Sequence, residues 1–348
     1  MELTINCLGE CHYRSPLRQV NTGVSRFTSD VERVLFDDSL PSVQKTLRHG
    51  RALLGFEQAG PRDRLYFDPA HTTAAIVTCG GICPGLNDVI RGIVNQLWFG
   101  YGCTRILGIR YGYEGLIPKF GHVPVQLNPD FVSTIHMLGG TVLGSSRGHQ
   151  DPEEMVDHLE ELGVDILFVI GGDGTMRGGA AINEELQRRE VGKSVIGIPK
   201  TIDNDVMYLD KSFGFETAFA EAVKAVSCAH VEAVGAVNGV GLVKLMGRDS
   251  GFIACHATLA SQQANFCLIT EVPFQLDGAR GFLEALRYRV AQRKHAVIVV
   301  AEGAGQELME ADRQETDASG NRRLGDIGLY LKENITKFFC SRGIPPDS

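Results

Sequence analysis

The chain has 348 residues, a formal net charge of −8, 43% hydrophobic and 22% charged residues, and 41 glycines. That length accommodates two domains with sizeable cores, and the composition is that of an α/β protein, not of a disordered or membrane-embedded chain. The negative balance argues against nucleic acid or an anionic membrane as the main partner, and no apolar run approaches a bilayer span, so anionic ligands must be met by local cations.

Residues 1–71 lack sustained periodicity and contain turn-rich pieces such as Asp37-Asp38-Ser39 and Ala59-Gly60-Pro61-Arg62. They read as an N-terminal extension with at most short elements, packed on the main body or on a neighbouring subunit. The opening MELTINCLGECHYRS has no long apolar core and carries acidic residues early, so neither a secretory signal nor a transit peptide is expected, and the cytoplasm is the default compartment. Nine cysteines are scattered along the chain. Cys7/Cys11 and Cys79/Cys83 share a four-residue offset, but neither pair has a second pair at metal-site spacing; reduced thiols are expected instead of a zinc site.

The first convincing strand covers 74–79 and runs into GGICPGLNDVIRGIVNQL. Gly80, Gly81 and Gly85 permit close backbone approach, and Ile90, Ile93, Val94 and Leu97 form the apolar stripe of the following helix. The unit is a phosphate cradle or an ordinary α/β turn. A strand over 105–110 leads to YGYEGLI, and residues 139–148 form a small-residue loop bearing one cation, Arg147.

Residues 165–170 read as a buried strand ending abruptly at Gly171-Gly172, with a helical pattern opening at Thr175. A glycine-rich turn at a helix N-terminus offers backbone N–H groups and a positive dipole end to phosphate. Asp173 inside that loop would repel a bare polyphosphate but can hold Mg²⁺ against it, so it implies a metal. Residues 194–198 form another buried run that Pro199 stops just before Lys200, Thr201, Asp203 and Asp205. An ammonium, a hydroxyl and two carboxylates thus stand at a strand's C-terminal edge, where open parallel sheets bind ligands. The alternative is a plain turn with capping aspartates.

A helix over 217–231, with Phe219, Val223 and Val226 inward, begins a second domain. The strand 240–245 ends at Met246-Gly247-Arg248, followed by a helix over 250–260. Two more strands cover 266–270 and 295–301, the latter followed by Glu302-Gly303-Ala304-Gly305; residues 309–323 read as an exposed loop and 326–339 as the last helix. No internal repeat or low-complexity tract is found.

Through GGDGT at 171–175, PKTIDND at 199–205 and MGRDSGF at 246–252, the chain resembles the 6-phosphofructokinases from about residue 74 onward. TIDND with MGR is highly specific, whereas NAD kinases and lipid kinases also carry GGDGT. The resemblance implies two Rossmann-like three-layer α/β/α domains with largely parallel sheets and the site in the cleft between them. Residues 72–210 would form the nucleotide-binding domain and 211–348, C-terminally incomplete, the sugar-phosphate domain. ATP would lie against Gly81, Arg147, Gly148, Gly172, Asp173, Gly174 and Thr175, with Mg²⁺ at Asp173. Tyr113 would place its ring near the adenine, or is a core tyrosine. Fructose 6-phosphate would meet Thr201, Ile202, Asp203, Met246, Gly247, Arg248 and Glu302. Asp203 would accept the hydroxyl proton while Thr201, Arg147 and Arg248 hold the moving phosphoryl group. From the residues alone, Arg147 could equally be a solvated surface arginine, Arg248 an internal ion-pair partner and Glu302 a helix cap.

Two positions bear on the donor. Pyrophosphate-using members have aspartate where this chain has Gly174, which leaves room for a nucleotide; Lys200 points the other way, since many pyrophosphate users carry lysine before TIDND. The combination resembles the ATP-dependent enzymes of plants and trypanosomatids. The expected activity is therefore an ATP- and Mg²⁺-dependent, glycolytic and allosteric 6-phosphofructokinase, a homo-oligomer, tetrameric by resemblance. A pyrophosphate-dependent enzyme and a non-catalytic nucleotide-binding subunit are the alternatives. The chain is expected to lack the family's C-terminal segment, which supplies further sugar-phosphate cations, so the activity of the short chain is left open.

Overall fold

The computed structural model of the chain describes residues 7–18, 27–309 and 323–343. It begins with four short strands, β1 (Tyr13–Arg14), β2 (Arg33–Leu35), β3 (Gly55–Glu57) and β4 (Arg64–Leu65), paired antiparallel as β1 with β4 and β2 with β3. Helix α1 (Leu40–Arg48) lies between β2 and β3 and buries none of its residues. The N-terminal extension thus has short elements, as its weak periodicity implies, plus this nine-residue helix.

Five strands then build the larger sheet: β5 (Thr73–Thr78), β6 (Arg105–Ile109), β7 (Val125–Gln126), β8 (Ile166–Gly171) and β9 (Ser194–Pro199). Their order is β7-β6-β5-β8-β9, with only β7 antiparallel. Every residue of β5 is buried, because helices cover both faces. The side-chain period of two sorts them. Ala75 and Val77 join a cluster with Met155 and Leu159 of α4 (Pro152–Glu161) and Ile182 and Leu186 of α5 (Asp173–Arg188). Ala74 and Ile76 face Leu86, Ile90 and Val94 of α2 (Leu86–Asn95) and share their cluster with Val132 of α3 (Pro129–Val132).

The smaller sheet repeats the plan with β10 (Gly239–Leu245), β11 (Phe266–Leu268) and β12 (His295–Ala301), all parallel in the order β10-β12-β11. Ala296, Ile298 and Val300 face one helical layer, Leu283, Leu286 and Val290 of the helix Phe282–Arg293 and Ile327, Leu331, Ile335 and Phe339 of the helix Ile327–Cys340. Val297 and Val299 face the other, through Val226 of the helix Phe215–Gly235 and Ala254 of the helix Phe252–Ser261. Two three-layer α/β/α units with largely parallel sheets result. No helix among the described residues is long and apolar enough to cross a membrane.

Three readings of the sequence shift. Pro199 is the last paired residue of β9, opposite Gly171, so the strand runs one residue further. Helix α5 opens at Asp173, not Thr175, because Gly172 is its extended N-cap; Asp173 and Gly174 therefore belong to the first helical turn. The helix Phe282–Arg293 was not read from the sequence, although Phe282, Leu283, Leu286 and Val290 have helical spacing. Most of the expected loop 309–323 lies outside the described residues.

Candidate active site

In the larger sheet the chain leaves β5 to one side, for β6, and later returns on the other side with β8, so strand order reverses between β5 and β8. Ligands of open α/β sheets bind in the crevice at such a reversal, beyond the strands' C-terminal ends. Gly80–Gly81 and the turn 171–175 both occupy that edge. Gly80 has φ +81, a left-handed backbone suited to glycine. Its N–H donates to the Ser146 carbonyl at 3.1 Å, and its carbonyl accepts from Ser145 Oγ at 2.6 Å, stitching the Arg147 loop to this edge. A Cβ on Gly81 would stand 3.9 Å from Arg147 Nη2, so the guanidinium lies over the glycine backbone. Gly148 has open space around it.

Thr175 is buried, and its carbonyl accepts from the Tyr113 hydroxyl at 2.7 Å. Tyr113 is itself only 6% exposed and belongs to the core cluster behind α5. Its ring supports the first turn of α5 from the interior, which is the core role and not a ring presented to a ligand. Asp173 and Gly174 are exposed, and no hydrogen bond or ion pair with a described residue engages the Asp173 carboxylate.

The third loop follows β9. Lys200 is 7% exposed; its Nζ donates to the Gly81 carbonyl at 2.7 Å and its backbone N–H to the Gly171 carbonyl at 2.9 Å. One buried lysine thus ties all three loops together, a role its sequence neighbours do not announce. Burial lowers its ammonium pKa. Burial likewise pushes the Cys79 thiol up to about 12 and Cys83 to about 11, so both are neutral packing groups behind the loops.

Asp203 is the most perturbed carboxyl of the site. Burial foremost, then Asp205 and Glu302, push it up to about 6. Its Oδ1 is buried without a hydrogen-bond partner, which a bound hydroxyl would supply. The backbone around it is held from both units. Its N–H donates to Thr201 Oγ1 at 3.0 Å, Thr201 Oγ1 donates to Asp205 Oδ1 at 3.2 Å, and Ser212 Oγ donates to the Thr201 carbonyl at 2.7 Å. From the smaller unit, Ser250 Oγ, 4% exposed, donates to the Asp203 carbonyl at 2.8 Å. Ile202 packs into core clusters on both sides and offers a ligand only its backbone.

The smaller sheet brings its own C-terminal edge to the same place. Met246, Gly247 and Arg248 follow β10, and Glu302 follows β12; the Glu302 N–H donates to the Leu245 carbonyl at 2.9 Å and the Gly303 N–H to the Gly247 carbonyl at 3.1 Å. Met246 is 58% exposed and Arg248 half-buried. Glu302 caps no helix, and its charge acts on Asp203. A Cβ on Gly303 would fall 1.7 Å from the Arg248 carbonyl oxygen, a backbone contact with nowhere to move. Gly303→Ala is therefore expected to cost about 1–3 kcal/mol or more of stability; an unchanged thermal melt would show that the two turns are not locked together.

The expected residues thus assemble at the facing strand ends of two sheets. Sequence reasoning missed Ser145, Ser212 and Ser250, which hold the loops; only Ser250 had a signal, its place in MGRDSGF. A cavity of about 590 Å³ lies elsewhere, between α5 and β9, lined by Met176, Asn183 and Val195 among others, and includes none of the site groups.

A frame that presents glycine-lined helix and loop backbone, two arginines and a buried carboxylate with an unpartnered oxygen at facing strand ends is that of a phosphoryl-transfer protein. The phosphofructokinase family profile matches residues 73–339, and the chain belongs to that family. It is 47% identical over 352 residues to an ATP-dependent 6-phosphofructokinase of Borreliella burgdorferi, covering 99% of this chain and 78% of the relative. It is 50% identical over 293 residues to the ATP-dependent 6-phosphofructokinase of Trypanosoma brucei brucei, covering 84% of this chain and 59% of the relative. Among solved structures, the phosphofructokinase of Pichia pastoris in the T-state superposes with a TM-score of 0.62 at 22% identity, over 86% of this chain and 34% of that one, a likeness of fold.

Proposed function

We propose that the chain transfers the γ-phosphoryl group of ATP to the 1-hydroxyl of fructose 6-phosphate, giving fructose 1,6-bisphosphate and ADP. The buried, unpartnered Oδ1 of Asp203 carries this reading. As the sugar oxygen bonds to the γ-phosphorus and the bond from that phosphorus to the β,γ-bridging oxygen breaks, Asp203 takes the hydroxyl proton. A carboxyl raised to about 6 is ionised at neutral pH yet basic enough for that task. Arg147, Arg248 and the Thr201 hydroxyl hold the moving group, whose charge spreads over its oxygens in a loose transition state. Gly81, Gly148, Gly172, Gly174 and Thr175 give the donor backbone to lie against, and Met246, Gly247 and Glu302 face the sugar.

Mg²⁺ fits the donor set. Among the described residues no group of three or more metal-ligating side chains occurs, and Mg²⁺ asks for none, being held by one or two carboxylates with substrate phosphates and water. The exposed, unengaged Asp173 carboxylate beside the glycine loops is such a ligand. When bound, the ion would neutralise donor oxygens.

The division of labour follows the sheets: residues 72–210 hold the nucleotide, and 211–348, together with Thr201, Ile202 and Asp203, the sugar phosphate. A homo-oligomer is supported by Val231, Val234 and Leu259, apolar residues left exposed on the helices flanking the smaller sheet. That none of the nine cysteines is in a disulfide suits a cytoplasmic setting. The deciding experiment assays fructose 1,6-bisphosphate formation by the purified chain with Mg²⁺, offering ATP or pyrophosphate in parallel. Activity with ATP is expected; activity with pyrophosphate alone would overturn the assignment of donor.

A further inference from the structure

We propose that the antiparallel β2–β3 strand pair of the N-terminal segment is a positioning element for the catalytic loop, packing Tyr208 against two phenyl rings and so holding Asp203 in register. The proposal rests on the phosphoryl-transfer reading above for what Asp203 does. Phe36, just beyond β2, and Phe56, in β3, meet the Tyr208 ring with centroids 5.0 and 5.6 Å away, and their own centroids are 5.9 Å apart. The strand pair is braced. Phe36 N–H donates to the Leu54 carbonyl at 3.0 Å, and Glu57 pairs with Arg33 at 3.4 Å and with Arg62 at 3.9 Å. All of it lies before residue 73, outside the stretch matched to the family.

Tyr208 stands at the tip of a closed loop whose base adjoins Asp203. Asn204 staples that base, its Nδ2 donating to the Asp210 carbonyl at 3.3 Å and its Oδ1 accepting from the Ser212 N–H at 2.8 Å. Both Asn204, at φ +56, and Tyr208, at φ +68, have left-handed backbones. A residue with a large side chain stays in that region only where its surroundings over-determine it. The tilted contacts with Phe36 and Phe56 contribute to that determination at the tip, in geometries that aromatic pairs favour. Because the staple leaves little slack between tip and base, releasing Tyr208 lets the backbone next to Asp203 relax and admits water to a carboxyl whose reactivity depends on burial.

The test is the double variant Phe36→Ala/Phe56→Ala, which touches no residue of the site. Its kcat is expected to fall about tenfold, as small misplacements of a reacting group do, with KM for ATP within about twofold, since the nucleotide loops follow β5 and β8. The acid limb of kcat should move to lower pH as Asp203 hydrates, while Asp205, Glu302 and Asp249 and the Arg248 backbone N–H still face it. Amide hydrogen exchange over 204–212 should accelerate, a readout that needs no turnover. Phe36→Tyr/Phe56→Tyr keeps the rings and should restore every measure. Unchanged kcat with unchanged exchange, or equal losses in the tyrosine pair, overturns the proposal. If the parent chain makes no product, the phosphoryl-transfer reading fails by itself, and exchange still decides whether the strand pair orders the loop.

Discussion

Asp203→Ser is expected to lose about 10²–10⁴-fold in kcat, the usual worth of a general base, while ATP binding stays within about twofold. The hydroxyl of serine fills part of the space and keeps a polar group beside Thr201, but it cannot accept the sugar proton at neutral pH. The same residue sets the pH profile. A base must be ionised, so with Asp203 at about 6 the parent rate should be level above that pH and fall about tenfold per unit below it. In Asp203→Ser that acid limb should vanish from the residual rate. Stability moves in the opposite sense. A carboxyl whose pKa is raised on folding, from 3.8 to about 6, contributes stability that is fully present below the unfolded value and is lost as pH rises through the folded one. Above pH 6 the buried anion is a standing penalty, so at pH 7 Asp203→Ser should melt no lower than the parent, and higher if water follows the serine in. Near-normal turnover in a well-folded Asp203→Ser would remove Asp203 as the base; lost turnover with a lowered melting temperature would point to a scaffolding role.

Much of this site was legible because of where chemistry sits in parallel sheets. The strands 73–78, 166–171 and 295–301 are buried on both faces and therefore read as unbroken apolar runs, and the residues just past such runs lie at the ligand-binding edge. Asp173 and Glu302 were singled out in that way; Lys200 and Asp203 follow β9, which reads as buried but is a half-exposed edge strand, and Arg248 follows the partly buried β10, so these three owed more to the family resemblance. What supports them was not legible, because it is contributed from far along the chain. Ser250 reaches Asp203 across 47 residues and Lys200 reaches Gly81 across 119. The Phe36–Tyr208 contact joins segments that no local pattern connects. Tyr113 shows a different limit: the same flat amphipathic ring serves beside a nucleotide or under a helix, and only burial distinguishes the two. Lys200 shows a third, since nothing beside TIDND announces that its buried ammonium also donates to the Gly81 carbonyl of a distant loop.

Gly174→Asp is expected to raise KM for ATP by about 10–10²-fold, the range that a like charge within a few ångströms of a phosphate commands once solvent has reduced it. The fold itself has no objection to the side chain. Gly174 lies exposed in the first turn of α5, and a Cβ there would meet nothing closer than Arg177 Nη2 at 3.9 Å. A carboxylate at a helix N-terminus is favourable, so the melting temperature should hold or rise, and weakened ATP use could not be blamed on misfolding. The loss should come from volume and repulsion where the donor's phosphates pass the turn, and added salt should partly relieve it. Arg177 complicates the outcome, because its guanidinium can pair with the new carboxylate one turn away and mute the repulsion. Arg177→Gln added to Gly174→Asp should therefore deepen the defect, whereas Arg177→Gln alone should change KM for ATP little. Unchanged ATP kinetics in Gly174→Asp and in the double variant would mean that the nucleotide does not pass this turn, and the cradle would have to be sought at Gly80–Gly81 alone.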